Sequence, residues 1–104
     1  MAERVSFENF EAEVLQDSKA VLADFYSDSC VPCKRMSPIL ADIEDDYADN
    51  LKVVKININF DGELAERYDV QAVPTLIFFK NGAEAARLVG LVKKSDIEAI
   101  INTL

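Results

Sequence analysis

With 104 residues, half of them apolar, and only 3 glycines and 3 prolines, the chain is neither disordered nor linker-rich and can bury one core unaided. Its net charge of -8 argues against nucleic acid or an anionic membrane as partner, because both recruit basic surfaces. Histidine is absent, so imidazole is excluded as base or metal ligand, and acid–base work falls to carboxylates, lysine or tyrosine.

The charge is uneven. Residues 1–50 hold 12 acids against 4 bases, whereas residues 51–104 hold 7 of each. The start of the chain carries Glu3, Arg4, Glu8, Glu11, Glu13, Asp17 and Lys19, leaving no apolar stretch for a signal peptide. No later run approaches the ~20 residues needed to span a bilayer. The expectation is a cytoplasmic protein of one domain over residues 1–104, in a compartment where paired cysteines are more often catalytic or metal-binding than structural.

In chain order, Ser6 reads as an N-cap for a helix with Phe7, Phe10, Val14 and Leu15 at helical spacing. Ala20 to Tyr26 has strand length. Pro32 to about Asp49 reads as a long helix with Met36, Ile39, Leu40, Ile43 and Tyr47 on one face, kinked where Pro38 removes a donor. Asp42, Glu44, Asp45, Asp46 and Asp49 crowd its end against the macrodipole, a solvated face or a steering patch. Leu51 to Ile58 is a β-branched strand, and Gly62 to Tyr68 a short helix. Thr75 to Lys80 and Ala85 to Val89 read as a hairpin joined at Asn81-Gly82. Ser95 with Glu98 reads as a capping box opening a last helix striped by Ile97, Ile100, Ile101 and Leu104. This alternation predicts an α/β sandwich, a central mixed, mostly parallel sheet with helices on both faces.

Cys30-Val31-Pro32-Cys33 holds both cysteines, at the head of the long helix. A thiol there meets the positive end of the macrodipole, which favours the attacking thiolate, and a second thiol one turn on can close a disulfide with it. The pair reads as a two-electron switch. A structural disulfide is the weaker reading, because so short a loop removes little unfolded-state entropy. Half of a zinc site would need two further ligands from a second chain. Asp24 interrupts Val21-Leu22-Ala23-Asp24-Phe25-Tyr26, whose neighbours are apolar on both faces. A central strand would bury the carboxylate and raise its pKa, suiting it to carry a proton; an edge strand would leave it in water.

The chain resembles the thioredoxin family. The resemblance is carried by Ala23-Asp24-Phe25-Tyr26, Cys30-Val31-Pro32-Cys33-Lys34, Val53-Val54-Lys55-Ile56-Asn57, Val73-Pro74-Thr75-Leu76, Phe79-Lys80-Asn81-Gly82 and Val89-Gly90, in the family's order and spacing. It implies the thioredoxin fold and reduction of protein disulfides, with a separate reductase regenerating the dithiol and no cofactor or metal. The thioredoxin nucleophile is itself the standing example of a lowered thiol pKa.

The resemblance also implies roles. Cys30 is then the exposed nucleophile, Cys33 the buried resolving thiol, and Asp24 the acid beneath it. Lys55 moderates the rise in the Asp24 pKa and Pro32 tunes the pair; a solvated strand lysine is the plain alternative for Lys55. Val73-Pro74 is then a cis bond facing the cysteines, although on base rates only ~5% of such bonds are cis. Val73 offers its backbone to an extended substrate strand, and Gly90 allows close approach beside it, or marks a bulge. The monomer is the expected state, with basic partner faces complementing the acidic surface.

Two positions depart from the family at the site. Ser29 and Val31 replace its usual tryptophan and glycine, and Tyr26 stands where tryptophan is common. Ser29 opens the groove and removes an aromatic contact, while Val31 adds a β-branched side chain beside the nucleophile. These changes motivate a narrower reading, a dedicated donor to one reductase or peroxidase. A non-redox binding subunit using the same groove is the rival from another class.

Overall fold

The computed structural model describes residues 2–104. Five strands form one sheet: β1 (Glu3–Arg4), β2 (Ala20–Tyr26), β3 (Leu51–Asn57), β4 (Thr75–Lys80) and β5 (Ala83–Val89). Their order is β1-β3-β2-β4-β5. The sheet is mixed, as expected, but its four pairings divide evenly. β3 is parallel to β1 and β2, whereas β4 is antiparallel to both β2 and β5. The parallel share is smaller than the alternation of elements implied, because β4 returns against β2 and not only against its hairpin partner.

β2 is the middle strand, and its alternating side chains feed two cores. Val21, Ala23 and Phe25 pack with Val54, Ile56, Ile77 and Phe79 under Phe10, Val14 and Leu64. Leu22 packs on the other face with Val53, Leu76 and Phe78. That face is covered by α1 (Val31–Asp46) through Met36, Leu40 and Ile43, and by α3 (Lys94–Ile101) through Ile97. The other helical elements are a π-helical turn, Glu11–Leu15, and α2, Gly62–Arg67. With apolar layers on both faces, every residue of β2 from Ala20 to Phe25 is buried.

Several boundaries depart from the sequence reading. β1 was not expected, since a two-residue strand leaves no period to read. The first helical segment starts after a turn, and Ser6 does not cap it. Instead the Ser6 N–H donates to Asn9 Oδ1 at 2.8 Å. α1 begins at Val31, ends at Asp46 and runs unbroken through Pro38. The cap of α3 is displaced two residues: the Asp96 carboxylate accepts from the Lys93 N–H at 3.0 Å, in place of the expected Ser95 and Glu98.

Asn81 and Gly82 both have positive φ, 53° and 81°, as the two-residue turn between Lys80 and Ala83 demands. β5 starts there, ahead of Ala85, and a register shift beside Phe78 and Phe79 absorbs the extra residue. A Cβ on Gly82 would lie 3.0 Å from the Leu15 carbonyl oxygen. Gly82→Ala therefore meets both an unfavourable φ and a backbone obstacle. It is expected to lower unfolding stability by about 1–2 kcal/mol, read as an earlier urea midpoint with unchanged slope.

Candidate active site

The redox pair is built where β2 ends and α1 begins. Cys30 is the N-cap residue of α1, with extended backbone (φ -92°, ψ 109°). A helix N-cap side chain accepts from the N–H of the second or third helical residue. The second is Pro32, which has none, so the bond falls to Cys33, whose N–H donates to Cys30 Sγ at 3.1 Å. Cys30 and Cys33 are joined as a disulfide across a Cα–Cα distance of 5.2 Å. On reduction, an anionic sulfur at this N-cap would keep that N–H and the positive end of α1, both of which favour the thiolate.

Both cysteines are largely covered, Cys30 at 9% exposure and Cys33 at 4%. Cys30 is thus less exposed than the sequence reading held, because the chain at residues 72–75 folds over it. The Val73 carbonyl oxygen lies 3.7 Å from Cys30 Sγ. The Val73-Pro74 bond is cis, as the resemblance implied and base rates did not. The Thr75 hydroxyl donates to the Ala72 carbonyl at 2.6 Å, and the Gly90 N–H donates to the Pro74 carbonyl at 2.8 Å. Gly90 has φ 86°, and a Cβ there would meet nothing within 4 Å, so its backbone conformation calls for glycine and not a close approach within the chain. Ser29 is exposed, and Val31 is 58% exposed beside the pair. Val89 and Leu91, on either side of Gly90, are exposed as well and extend the apolar rim.

Asp24 is 1% exposed, as a central strand requires. It lies between Lys55 of β3 and Leu76 of β4, on the face covered by α1. Its Oδ1 has no hydrogen-bond partner. Burial pushes the carboxyl up to about 6, and the Lys55 charge offsets part of that rise. A pocket of about 150 Å³ meets the acid, lined also by Ala2, Ser37, Leu40, Ala41, Glu44 and Lys55. Ser37 connects this pocket to the redox pair, since its hydroxyl donates to the Cys33 carbonyl in a long 3.5 Å bond. Lys55 is half-buried, and its ammonium sits over the Tyr26 ring, 4.7 Å from the centroid.

The sequence reading missed a polar clasp behind the site. Asn57, buried at the end of β3, donates to the Asp28 carboxylate at 2.9 Å and accepts from the Asn59 N–H at 2.9 Å. Asn59 Oδ1 in turn accepts from the Asp28 N–H at 3.1 Å. The clasp ties the segment leading into Cys30 to the segment following β3. An uncharged polar residue at the end of a β-branched strand was its one visible sign.

The thioredoxin family model matches residues 2–103. The chain is 41% identical to a thioredoxin of Acidithiobacillus ferridurans over 99 residues, covering 95% of this chain and 92% of that one. It is 37% identical to a thioredoxin of Rickettsia bellii over 102 residues, covering 98% and 97%. The chain belongs to the thioredoxin family. With the family's fold and a closed Cys30–Cys33 pair, it is a thiol–disulfide oxidoreductase that reduces protein disulfides through this dithiol/disulfide couple. Among the described residues no helix is long and apolar enough to cross a membrane.

The raised Asp24 pKa has a consequence for stability. The carboxyl titrates near 3.8 unfolded and near 6 folded, so the folded state holds the extra proton in between. The contribution of Asp24 to stability is then fully present below about pH 4, falls as pH rises to about 6, and is lower by about 3 kcal/mol beyond. Urea unfolding at pH 4 and pH 7.5 is expected to show this loss in the wild type relative to Asp24→Asn, whose carboxamide does not titrate.

Proposed function

We propose that Cys30 is the attacking thiol, Cys33 the resolving thiol and Asp24 the proton carrier for Cys33. The hydrogen bond from the Cys33 N–H to the N-capping sulfur of Cys30 carries this reading, since it favours an anion on the more exposed of the two cysteines. Cys30 thiolate attacks a target disulfide, forming a mixed disulfide and releasing one target thiolate. Cys33 gives its proton to the Asp24 carboxylate and attacks Cys30 Sγ. That step breaks the mixed disulfide and releases the second target thiolate. Two electrons have passed to the target, and the Cys30–Cys33 disulfide is left for a reductase to reduce.

Pro32 serves this chemistry by leaving Cys33 as the capping donor, and Lys55 by moderating the charge on Asp24. Ser29, Val31, Val73, Pro74 and Gly90 present the target, with the Val73 backbone pairing with an extended segment. The protein works as a monomeric, single-domain electron carrier in the cytoplasm. Both cysteines belong to the redox pair and none remains for a structural bridge, the pattern of a reducing compartment. Its acidic surface complements partners with basic docking faces.

Insulin-disulfide reduction driven by dithiothreitol tests these roles. Wild type is expected to turn over rapidly, and Cys30→Ser and Cys33→Ser to fall to the uncatalysed background. Cys33→Ser should also accumulate a covalent adduct with the target, seen by intact mass, while Cys30→Ser forms none. An adduct on Cys30→Ser alone would reverse the two roles, and slow turnover by a folded, reducible wild type would overturn the general reductase.

A further inference from the structure

Asp24 and Lys55 are cross-strand neighbours on one buried sheet face, the arrangement in which an ion pair is expected. None forms between them, and Asp24 Oδ1 is left without a partner. The lysine side chain is directed elsewhere. Its Nζ stands 4.7 Å from the centroid of Tyr26, two residues beyond Asp24 on the same face of β2 and last before the loop to Cys30. An ammonium over an aromatic face is attracted by the ring quadrupole, more strongly where water is partly excluded. Tyr26 and Asp24 therefore compete for one cation, and the ring holds it.

We propose that Tyr26 is a positioning residue: its ring draws the Lys55 ammonium part-way off Asp24, leaving the acid only partly compensated and able to take and return the Cys33 proton. A full ion pair would hold Asp24 as a carboxylate too weak as a base to accept that proton. Complete removal of the cation would hold it protonated, with no carboxylate to accept. The intermediate placement keeps the acid near neutrality. Among the described residues, the other polar groups on the wall of the shared pocket are Glu44 and Ser37 of α1, and the Ser37 hydroxyl donates to the Cys33 carbonyl one turn back. Glu44 and Ser37 are unchanged in every variant below.

The proposal rests on the assignment of Asp24 as proton carrier, and its test separates the two. In oxidised protein, where Cys33 has no proton to exchange, the Asp24 carboxyl midpoint is read by carbon-detected NMR. Tyr26→Leu is expected to lower the midpoint by about one unit as Lys55 swings to the acid. Tyr26→Phe, which keeps the ring, should leave it in place. In a Lys55→Met background, where the midpoint starts higher, Tyr26→Leu should produce no comparable fall. An unmoved or raised midpoint in Tyr26→Leu overturns the proposal. So does an equal fall in the Lys55→Met background, which would mean that the smaller side chain merely admits water. A shift in Tyr26→Phe equal to that in Tyr26→Leu would transfer the effect to the hydroxyl and also overturn it. The pH profile of insulin reduction by Asp24→Asn tests the underlying assignment independently: a profile identical to wild type would remove Asp24 from the proton path, whatever the titrations show.

Discussion

β2 is hydrogen-bonded on both sides and covered on both faces, and the redox end of the molecule depends on that enclosure. It buries Asp24 almost completely, leaving the acid at the floor of one small pocket. Its parallel register with β3 brings Lys55 beside the acid, while its antiparallel register with β4 sets Thr75 against Phe25. From there the chain at Val73-Pro74 is carried over Cys30. The same strand ends at Tyr26, so the following loop delivers Cys30 to the start of α1 at a fixed position. The thiol pair, the buried acid and the covering peptide are three consequences of one strand having no free side.

The charges on α1 are poorly arranged for the helix but well arranged for the sulfur. Lys34 and Arg35 lie near its positive end, and Asp42, Glu44, Asp45 and Asp46 near its negative end, the reverse of what favours an isolated helix. Bases near the first turn add to the field that stabilises an anion at the N-cap. At the far end, Lys94 of α3 offsets one of these acids and a hydrogen bond ties the two helices together. Lys94 pairs with Asp46 at 2.6 Å, and the Tyr47 hydroxyl donates to Glu98 at 2.7 Å. Packing of Met36, Leu40 and Ile43 then supplies what local electrostatics do not.

Elements with a strong period or a strong punctuating pair were legible in the sequence. Ala20 to Tyr26 and Thr75 to Lys80 were readable to the residue, and Asn81-Gly82 specified the turn found. Asp24 stood out because a lone acid in an apolar run has few physical explanations. Features that depend on contacts between distant segments were not legible. The even division of the sheet follows from β4 lying against β2, which no local pattern encodes. The cis Val73-Pro74 bond was accessible only through family resemblance. The capture of Lys55 by Tyr26 requires knowing both the register of β3 on β2 and which of two neighbours the long side chain prefers. The positive φ of Gly90 was not legible either, because sequence does not distinguish a glycine kept for its backbone angle from one kept for space.

The two borders of the sheet differ from its centre in a way that bears on behaviour at high concentration. β1 offers only two residues, too short a template for a neighbouring chain to extend. β5 is longer, but its ladder is interrupted beside Phe78 and Phe79, and Arg87 is locked by Glu84 at 2.6 Å and by the Tyr68 carbonyl at 2.8 Å. A strand approaching from outside would meet an irregular backbone and a fixed charge pair. Neither border therefore offers a second copy of the chain a long, regular edge to extend, which favours a sheet that stays closed on itself as concentration rises.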